Sequence, residues 1–378
     1  MKVLQFGRYY PPNVGGIETV MKDITEGLNN VGVQCDVLCS NDKYSYKVDE
    51  ISNYLVFRTK TLGSFLSTSL TPQLILKLKE ICNHYDIIHL HYPDPIATLA
   101  LYLVNPSQKI IVHWHSDIIR QKLALKFFEP LQNWLLKRVD KIIATTPNYI
   151  VGSKYLRSVR NKTIAVPIGI DTNILKPEMP GVNKIRQKFK GRKIVFSLGR
   201  LRYYKGFEYL IKAAQYLDDS FIILIGGDGE LKIKLQEYIK SLHLEHKVKM
   251  LGKIPDQELA NYYKASDVYC MSSIARSEAF GVVLIEAMSL AKPIVATNID
   301  GSGVSWVNSD SETGYNVEPK NPRALAKAIK IIANNPKLKA KFSTNAENRF
   351  HNYFTREQMI ENIHNIYTEV LHEEEVFV

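Results

Sequence analysis

The 378-residue sequence is 45 % hydrophobic and 23 % charged, a globular balance that excludes a disordered chain, and it is too long for one ordinary core but comfortable for two domains. No apolar run reaches the ~18–20 residues of a membrane-spanning helix, and the four cysteines (Cys35, Cys39, Cys82, Cys270) show neither a CxxC pair nor zinc-finger spacing, so reduced thiols in a cytosolic protein are expected. The net charge of +11 favours an anionic partner, whether nucleic acid, a phosphorylated small molecule or an anionic membrane face, without choosing among them.

Short apolar runs alternate with amphipathic stretches of helical length, which predicts an α/β protein with parallel sheets. The opening run Met1–Gly7 is too short for a signal peptide and leads at once into a glycine loop. In the first half, strands are expected at Val3–Gly7, Cys35–Cys39, Tyr54–Arg58, Ile87–Leu90, Ile110–Trp114, Lys141–Ala144 and Thr163–Val166. Helices are expected at Ile17–Asn30, Pro72–Asn83, Ile96–Val104, Ile119–Lys137 (broken near Pro130) and Pro147–Tyr155. Periodicity fades over Asp171–Asn183, with Pro177, Pro180 and Gly181, and this reads as an inter-domain linker. The alternation then restarts with strands Lys193–Leu198, Phe221–Ile225, Val248–Leu251, Val268–Met271 and Pro293–Ala296. Helices between and after them are expected at Phe207–Leu217, Leu231–Leu242, Asp256–Ala265, Gly281–Leu290, Pro322–Asn334, Pro336–Asn348 and Arg356–His372. Two doubly wound domains follow: residues 1–178 and 184–355, with 356–378 as a terminal helix.

In open α/β sheets ligands bind where strand ends lead into helix N-termini, and five such places carry unusual chemistry. After the first strand, Gly15-Gly16 opens a helix, allowing close backbone approach and an anion at the helix start, although a plain turn has the same signature. It is not the GxGxxG fingerprint of a nicotinamide site. After Lys193–Leu198, the loop Gly199–Gly206 places Arg200 and Lys205 before a helix, where they can grip phosphate or simply be solvated. The stretch SEAFGVVLIEAM sets Glu278 in a loop and Glu286 in the following helix, with Gly281 between them. A loop carboxylate can take sugar hydroxyls and a helical one a ribose diol. His89/His91 and His113/His115 each share a strand face; buried structure and a metal site are both open readings, and His115 stands furthest toward the sheet's end. Finally, Asp228 in the turn Gly226–Glu230 can cap the next helix.

Together these residues resemble the GT-B glycosyltransferases, specifically the large retaining family four that includes sucrose synthases, phosphatidylinositol mannosyltransferases and bacterial polysaccharide enzymes. Its E-x7-E motif is matched by Glu278 and Glu286. The resemblance implies two Rossmann-like domains facing a cleft, with the last helix crossing back to the first domain. It implies that Arg200 and Lys205 neutralise the donor diphosphate and that Gly15 and Gly16 let it approach. Glu286 would hold the ribose, and Glu278 with the backbone of Ala279, Phe280 and Gly281 the sugar and phosphate. Ile254 would lie near the base, and His115 would contact the donor sugar. No protein nucleophile, cofactor or metal is implied, and no Asp-x-Asp pair occurs in the chain.

The opening RYYPPNVGGIE and the WHSDI stretch are most similar to O-antigen mannosyltransferases, implying a GDP-mannose donor, with a UDP-hexose or UDP-N-acetylhexosamine as the alternative. A lipid-diphosphate-linked saccharide would then be the acceptor, on the cytoplasmic leaflet. The basic, aromatic stretch 118–139 reads either as a helix resting on an anionic membrane or as one packed on the sheet. A nucleic-acid-binding protein gives the strand-end glycines and glutamates no role, so no nucleic-acid partner is expected.

Overall fold

A computed structural model describes residues 1–13, 15–65, 68–118 and 122–372. The chain forms two α/β units: one from Met1–Gly169 and the last helix Arg356–His372, the other from Ile170–Thr355.

The first unit contains β1 (Lys2–Phe6), β2 (Gln34–Ser40), β3 (Lys47–Ile51), β4 (Tyr54–Thr59), a small hairpin of β5 (Ser64–Phe65) and β6 (Thr68–Ser69), then β7 (Ile87–Tyr92), β8 (Lys109–Trp114), β9 (Lys141–Ala144) and β10 (Thr163–Ala165). The main sheet runs β10-β9-β8-β7-β1-β2-β4-β3, parallel except where β3 pairs with β4. β1 leads toward β2 while its neighbour β7 leads toward β8, so the connections diverge between these two strands.

In the second unit, β11 (Lys193–Leu198), β12 (Phe221–Gly226), β13 (Val248–Gly252), β14 (Val268–Met271), β15 (Ile294–Thr297) and β16 (Gly314–Val317) form a wholly parallel sheet in the order β13-β12-β11-β14-β15-β16. Its chain direction reverses between β11 and β14. Strands buried on both faces explain the continuous aliphatic runs: Phe221–Gly226 is buried at every position. Ile223, Ile225, Leu210, Leu325, Ile329 and Phe342 share the core under the helices.

Helix Arg356–His372 buries Met359, Ile360, Ile363, Ile366, Tyr367 and Val370 at three- and four-residue spacing. It packs on helix Gly16–Asn30, where Gly27 leaves room for Ile360: a Cβ there would lie 2.5 Å from Ile360 Cδ1. Lys141 pairs with Glu369 at 2.7 Å and ties the same helix to the sheet.

Four expectations are corrected. The segment Asp171–Asn183 is no linker. The units divide at Gly169/Ile170, not at 178: the Ile170 N–H donates to the Phe354 carbonyl at 3.1 Å, and Met179–Lys188 is a helix. Pro180 sits in that helix's first turn, where a missing N–H is harmless, and Asn261 accepts from the Glu178 N–H at 2.6 Å.

Helix Lys122–Arg138 passes through Pro130 unbroken, because Gln132, Leu135 and Leu136 beyond it are buried; its expected start at Ile119 lies outside the described residues. Pro147–Tyr155 divides at Ser153, whose hydroxyl caps a second short helix, Lys154–Arg157. Lys47–Ile51, polar and largely exposed, is an edge strand that the pattern of apolar runs did not show.

Candidate active site

The reversal between β11 and β14 opens a crevice at their carboxyl ends, the place where α/β sheets take ligands. From β11 the chain enters Gly199-Arg200 and a 3-10 turn, Tyr203–Lys205. Gly206 then adopts φ +62°, and a Cβ there would sit 2.2 Å from the Ser272 carbonyl of the neighbouring loop, so only glycine fits. The two loops are stitched together: the Ser272 hydroxyl donates to the Lys205 carbonyl at 3.1 Å, and the Ile274 N–H to that of Tyr204 at 2.8 Å.

This arrangement brings Lys205 Nζ to 2.5 Å from Glu278 Oε2, in a pair nearly closed to solvent. Ser273 donates to the same oxygen at 2.8 Å. Burial opposes the lysine's charge, but Glu278, Tyr204 and Glu286 outweigh it and hold the ammonium above its ordinary pKa. The Glu278 backbone is pinned as well, its carbonyl accepting from the Ser302 hydroxyl, while that of Ala279 accepts from the Gly303 N–H at 2.8 Å. Phe280 is buried against the edge of Phe354.

Gly281, at φ +86°, is the N-cap of helix Val282–Ser289, and no side chain caps that end. Its first amides thus have no side-chain cap, and a helix start of this kind is suited to an anion. One turn on, Glu286 Oε2 accepts from Tyr263 Oη at 2.6 Å. Burial raises the Glu286 pKa, with the Tyr263 hydrogen bond and the Lys205 charge working the other way. Ile254 covers the end of β12 at Gly226. Arg200 stands exposed at the crevice's rim. Asp228 does not cap helix Lys232–Ser241: its carboxylate is taken by the Gly229 N–H at 2.9 Å and by Lys232.

Gly15, Gly16 and His115 belong to the first unit. Gly15 is the N-cap of helix Gly16–Asn30, in an extended conformation with no side-chain cap, and a Cβ at Gly16 would touch nothing within 4 Å. The four histidines are all buried and stack face to face across β7 and β8, with His91 in register with His113. Three of them, His91, His113 and His115, have ring nitrogens within 4.8 Å of one another. The His113 and His115 rings, however, are only 2° from parallel. Lone pairs lie in the ring plane, so parallel rings do not aim them at a common point. His91 Nδ1 instead lies 3.0 Å from His115 Nε2. Asp117 of the WHSDI stretch is structural, bonded to Trp114 Nε1 and the Ser153 hydroxyl.

The sequence reading grouped Arg200 with Lys205 and Glu278 with Gly281 and Glu286, and took Ile254 from the resemblance; the second unit brings the lysine and the two glutamates together at one switch point. It missed Ser273 and Tyr263. Ser273 stands two residues past the end of β14, a usable signal, whereas Tyr263 looks like any mid-helix core aromatic.

Comparison with known proteins gives the family and the fold. Residues 182–349 match the family model described as glycosyl transferases group 1, and residues 14–173 the one described as Glycosyltransferase Family 4. The O-antigen chain mannosyltransferase C of Escherichia coli is 31 % identical over 98 % of this chain and 99 % of its own length. The D-rhamnosyltransferase WbpZ of Pseudomonas aeruginosa is 32 % identical over 94 % and 92 %. Among solved structures, Anabaena HepE in complex with UDP aligns with a TM-score of 0.78 at 21 % identity, covering 98 % of this chain and all of that one.

This chain belongs to glycosyltransferase family four and has the GT-B fold. It is a glycosyltransferase. Among the described residues, no helix is long and apolar enough to cross a membrane.

Proposed function

We propose that the enzyme transfers mannose from GDP-mannose, with retention of configuration and without a metal, to a lipid-diphosphate-linked saccharide of an O-antigen-type polysaccharide. The observation that carries the reading is the Lys205–Glu278 pair at the switch point of the second sheet, beside an uncapped helix N-terminus. A lysine fixed in a solvent-poor crevice suits the departure of a nucleoside diphosphate, whose growing charge is the main thing to stabilise.

Lys205, with Arg200 at the rim, neutralises the diphosphate as the bond from the anomeric carbon to its phosphate oxygen breaks. The acceptor hydroxyl attacks that carbon on the same face, and its proton passes to a diphosphate oxygen. Glu278 and the backbone of Ala279, Phe280 and Gly281 hold the sugar and phosphate. Glu286 takes the ribose diol, and Ile254 lies against the base. Gly15, Gly16 and His115 supply contacts from the first unit, His115 to a sugar hydroxyl.

The mannose and O-antigen assignments rest on similarity to the E. coli mannosyltransferase over nearly the whole chain. A UDP-hexose donor is the second reading, favoured by the UDP bound in the Anabaena structure. The exposed Tyr102, Leu103 and Phe127, the last 88 % exposed on a lysine-bearing helix, support the reading of peripheral contact with an anionic cytoplasmic leaflet.

Thermal denaturation with GDP, UDP, GDP-mannose, UDP-glucose and UDP-N-acetylglucosamine tests the donor. A nucleotide at ~100 times its Kd stabilises by about 2.7 kcal/mol. Stabilisation by guanine nucleotides alone is expected; by uridine nucleotides alone, it transfers the assignment to a UDP-sugar; by none, it removes the site.

A further inference from the structure

Behind His115 a hydrogen-bonded chain runs through the interior of the first unit. His91 Nδ1 meets His115 Nε2 at 3.0 Å, and His91 Nε2 meets Gln5 Oε1 at 2.8 Å. Gln5 Nε2 donates to Tyr367 Oη at 3.1 Å and approaches Cys35 Sγ at 3.5 Å. Tyr367, on the final helix, lies 2.5 Å from His89 Nδ1. Gln5, His89 and Tyr367 are completely buried and His91 is 1 % exposed, whereas His115 reaches the surface with 7 %. Buried polar groups this far from water keep fixed partners.

The chain has a direction. Gln5 Oε1 can only accept, so the His91 proton sits on Nε2. Burial holds both imidazoles neutral, far below the ordinary histidine pKa, so each carries one proton. His91 Nδ1 is then a bare acceptor, and the proton between the two rings belongs to His115 Nε2. On the other branch, Tyr367 receives the Gln5 N–H and gives its own proton to His89 Nδ1, which leaves the His89 proton on an Nε2 without a partner.

We propose that Gln5, His91 and Tyr367 are positioning residues that hold His115 as the Nε2–H tautomer, so that His115 meets the donor with a bare Nδ1 and accepts a hydrogen bond from a sugar hydroxyl. The second clause rests on the reading of His115 as a sugar contact; the first does not. The polarity is a selection rule: a hydroxyl at this position donates to His115, and a carbonyl or carboxylate oxygen is refused.

Nitrogen-15 spectra of histidine-labelled enzyme read the tautomer directly. The wild type is expected to show His115 with Nε2 protonated and Nδ1 bare. In Gln5→Leu the signal is expected to move to an average of both tautomers, with kcat/KM down about tenfold, the size of one hydrogen bond. Gln5→Glu, which keeps an acceptor toward His91, is expected to restore the wild-type spectrum. Nδ1 protonation in the wild type, or an unchanged His115 signal in Gln5→Leu, overturns the proposal, and the wild-type spectrum alone decides if the variants fail to fold. His115→Ala separates the two readings: full activity there removes His115 from the donor site and leaves the tautomer result standing.

Discussion

Lys205 and Glu278 meet at 2.5 Å from loops that leave adjacent strands in opposite directions. Each thus neutralises the other before any substrate arrives, and a donor diphosphate must compete with Glu278 for the lysine. Removing one member of a closed pair leaves the other charge uncompensated, at a cost of about 3–5 kcal/mol in buried cases.

Glu278→Gln is therefore expected to lower the melting temperature of the free enzyme and to bind nucleoside diphosphate at least as tightly as the wild type, while transfer falls at least about 100-fold. Lys205→Met is expected to lose both diphosphate affinity and transfer. Calorimetric titration beside a transfer assay checks both; weakened nucleotide binding in Glu278→Gln contradicts the competition.

Tyr263 acts on Glu286 in a direction that can be measured. Its hydrogen bond lowers the Glu286 pKa against the effect of burial. Tyr263→Phe is expected to raise that pKa, so that Glu286 protonates at higher pH. The donor KM should then begin its rise on acidification at a higher pH than in the wild type, with kcat little changed. A pH series of initial rates measures the shift.

The four stacked histidines predict an acid-labile fold. Burial holds His113 at a pKa of about 3 and the other three well below 6.5. The unfolded chain therefore takes up their protons first as pH falls. Stability is complete above about pH 6.5 and declines below it, by about 1.4 kcal/mol per pH unit for each histidine in play. Urea denaturation from pH 7.5 to 5 should show this slope. His113→Phe, which keeps a ring and removes two buried nitrogens without partners, should lessen it by one histidine's share.

Gly206→Ala should destabilise the second unit and abolish transfer together. Its Cβ would press on the Ser272 carbonyl, and its φ of +62° adds strain for any other residue. Thermal unfolding and the transfer assay should report the two losses in parallel.

Much of this was legible in the chain because buried parallel strands need aliphatic runs and helices need amphipathic ones: Lys193–Leu198, Asp256–Ala265, Val268–Met271 and Arg356–His372 have the expected ends. The short strand Gly314–Val317 carries no such run and was invisible. The helix Met179–Lys188 hid behind Pro180 and Gly181, which look like punctuation until Asn261 is seen bracing its start. At the site, glycines and charges at strand ends were readable one by one. That Lys205 pairs with Glu278 depends on strand order, and that His115 is backed by Gln5 and Tyr367 depends on contacts between distant parts of the chain, which no local pattern encodes.

The return of Arg356–His372 to the first unit also sets the order of events during synthesis. The second unit is one uninterrupted stretch, translated in full before the final helix. The first unit lacks the helix Arg356–His372 until those residues are made, so the apolar surface around Gly27 and the Gln5 side chain waits, uncovered, while the whole second unit is translated at about 5–20 residues per second. A released chain that ends before Arg356 would hold a complete second unit and an unfinished first one, the state in which chaperones have most to bind.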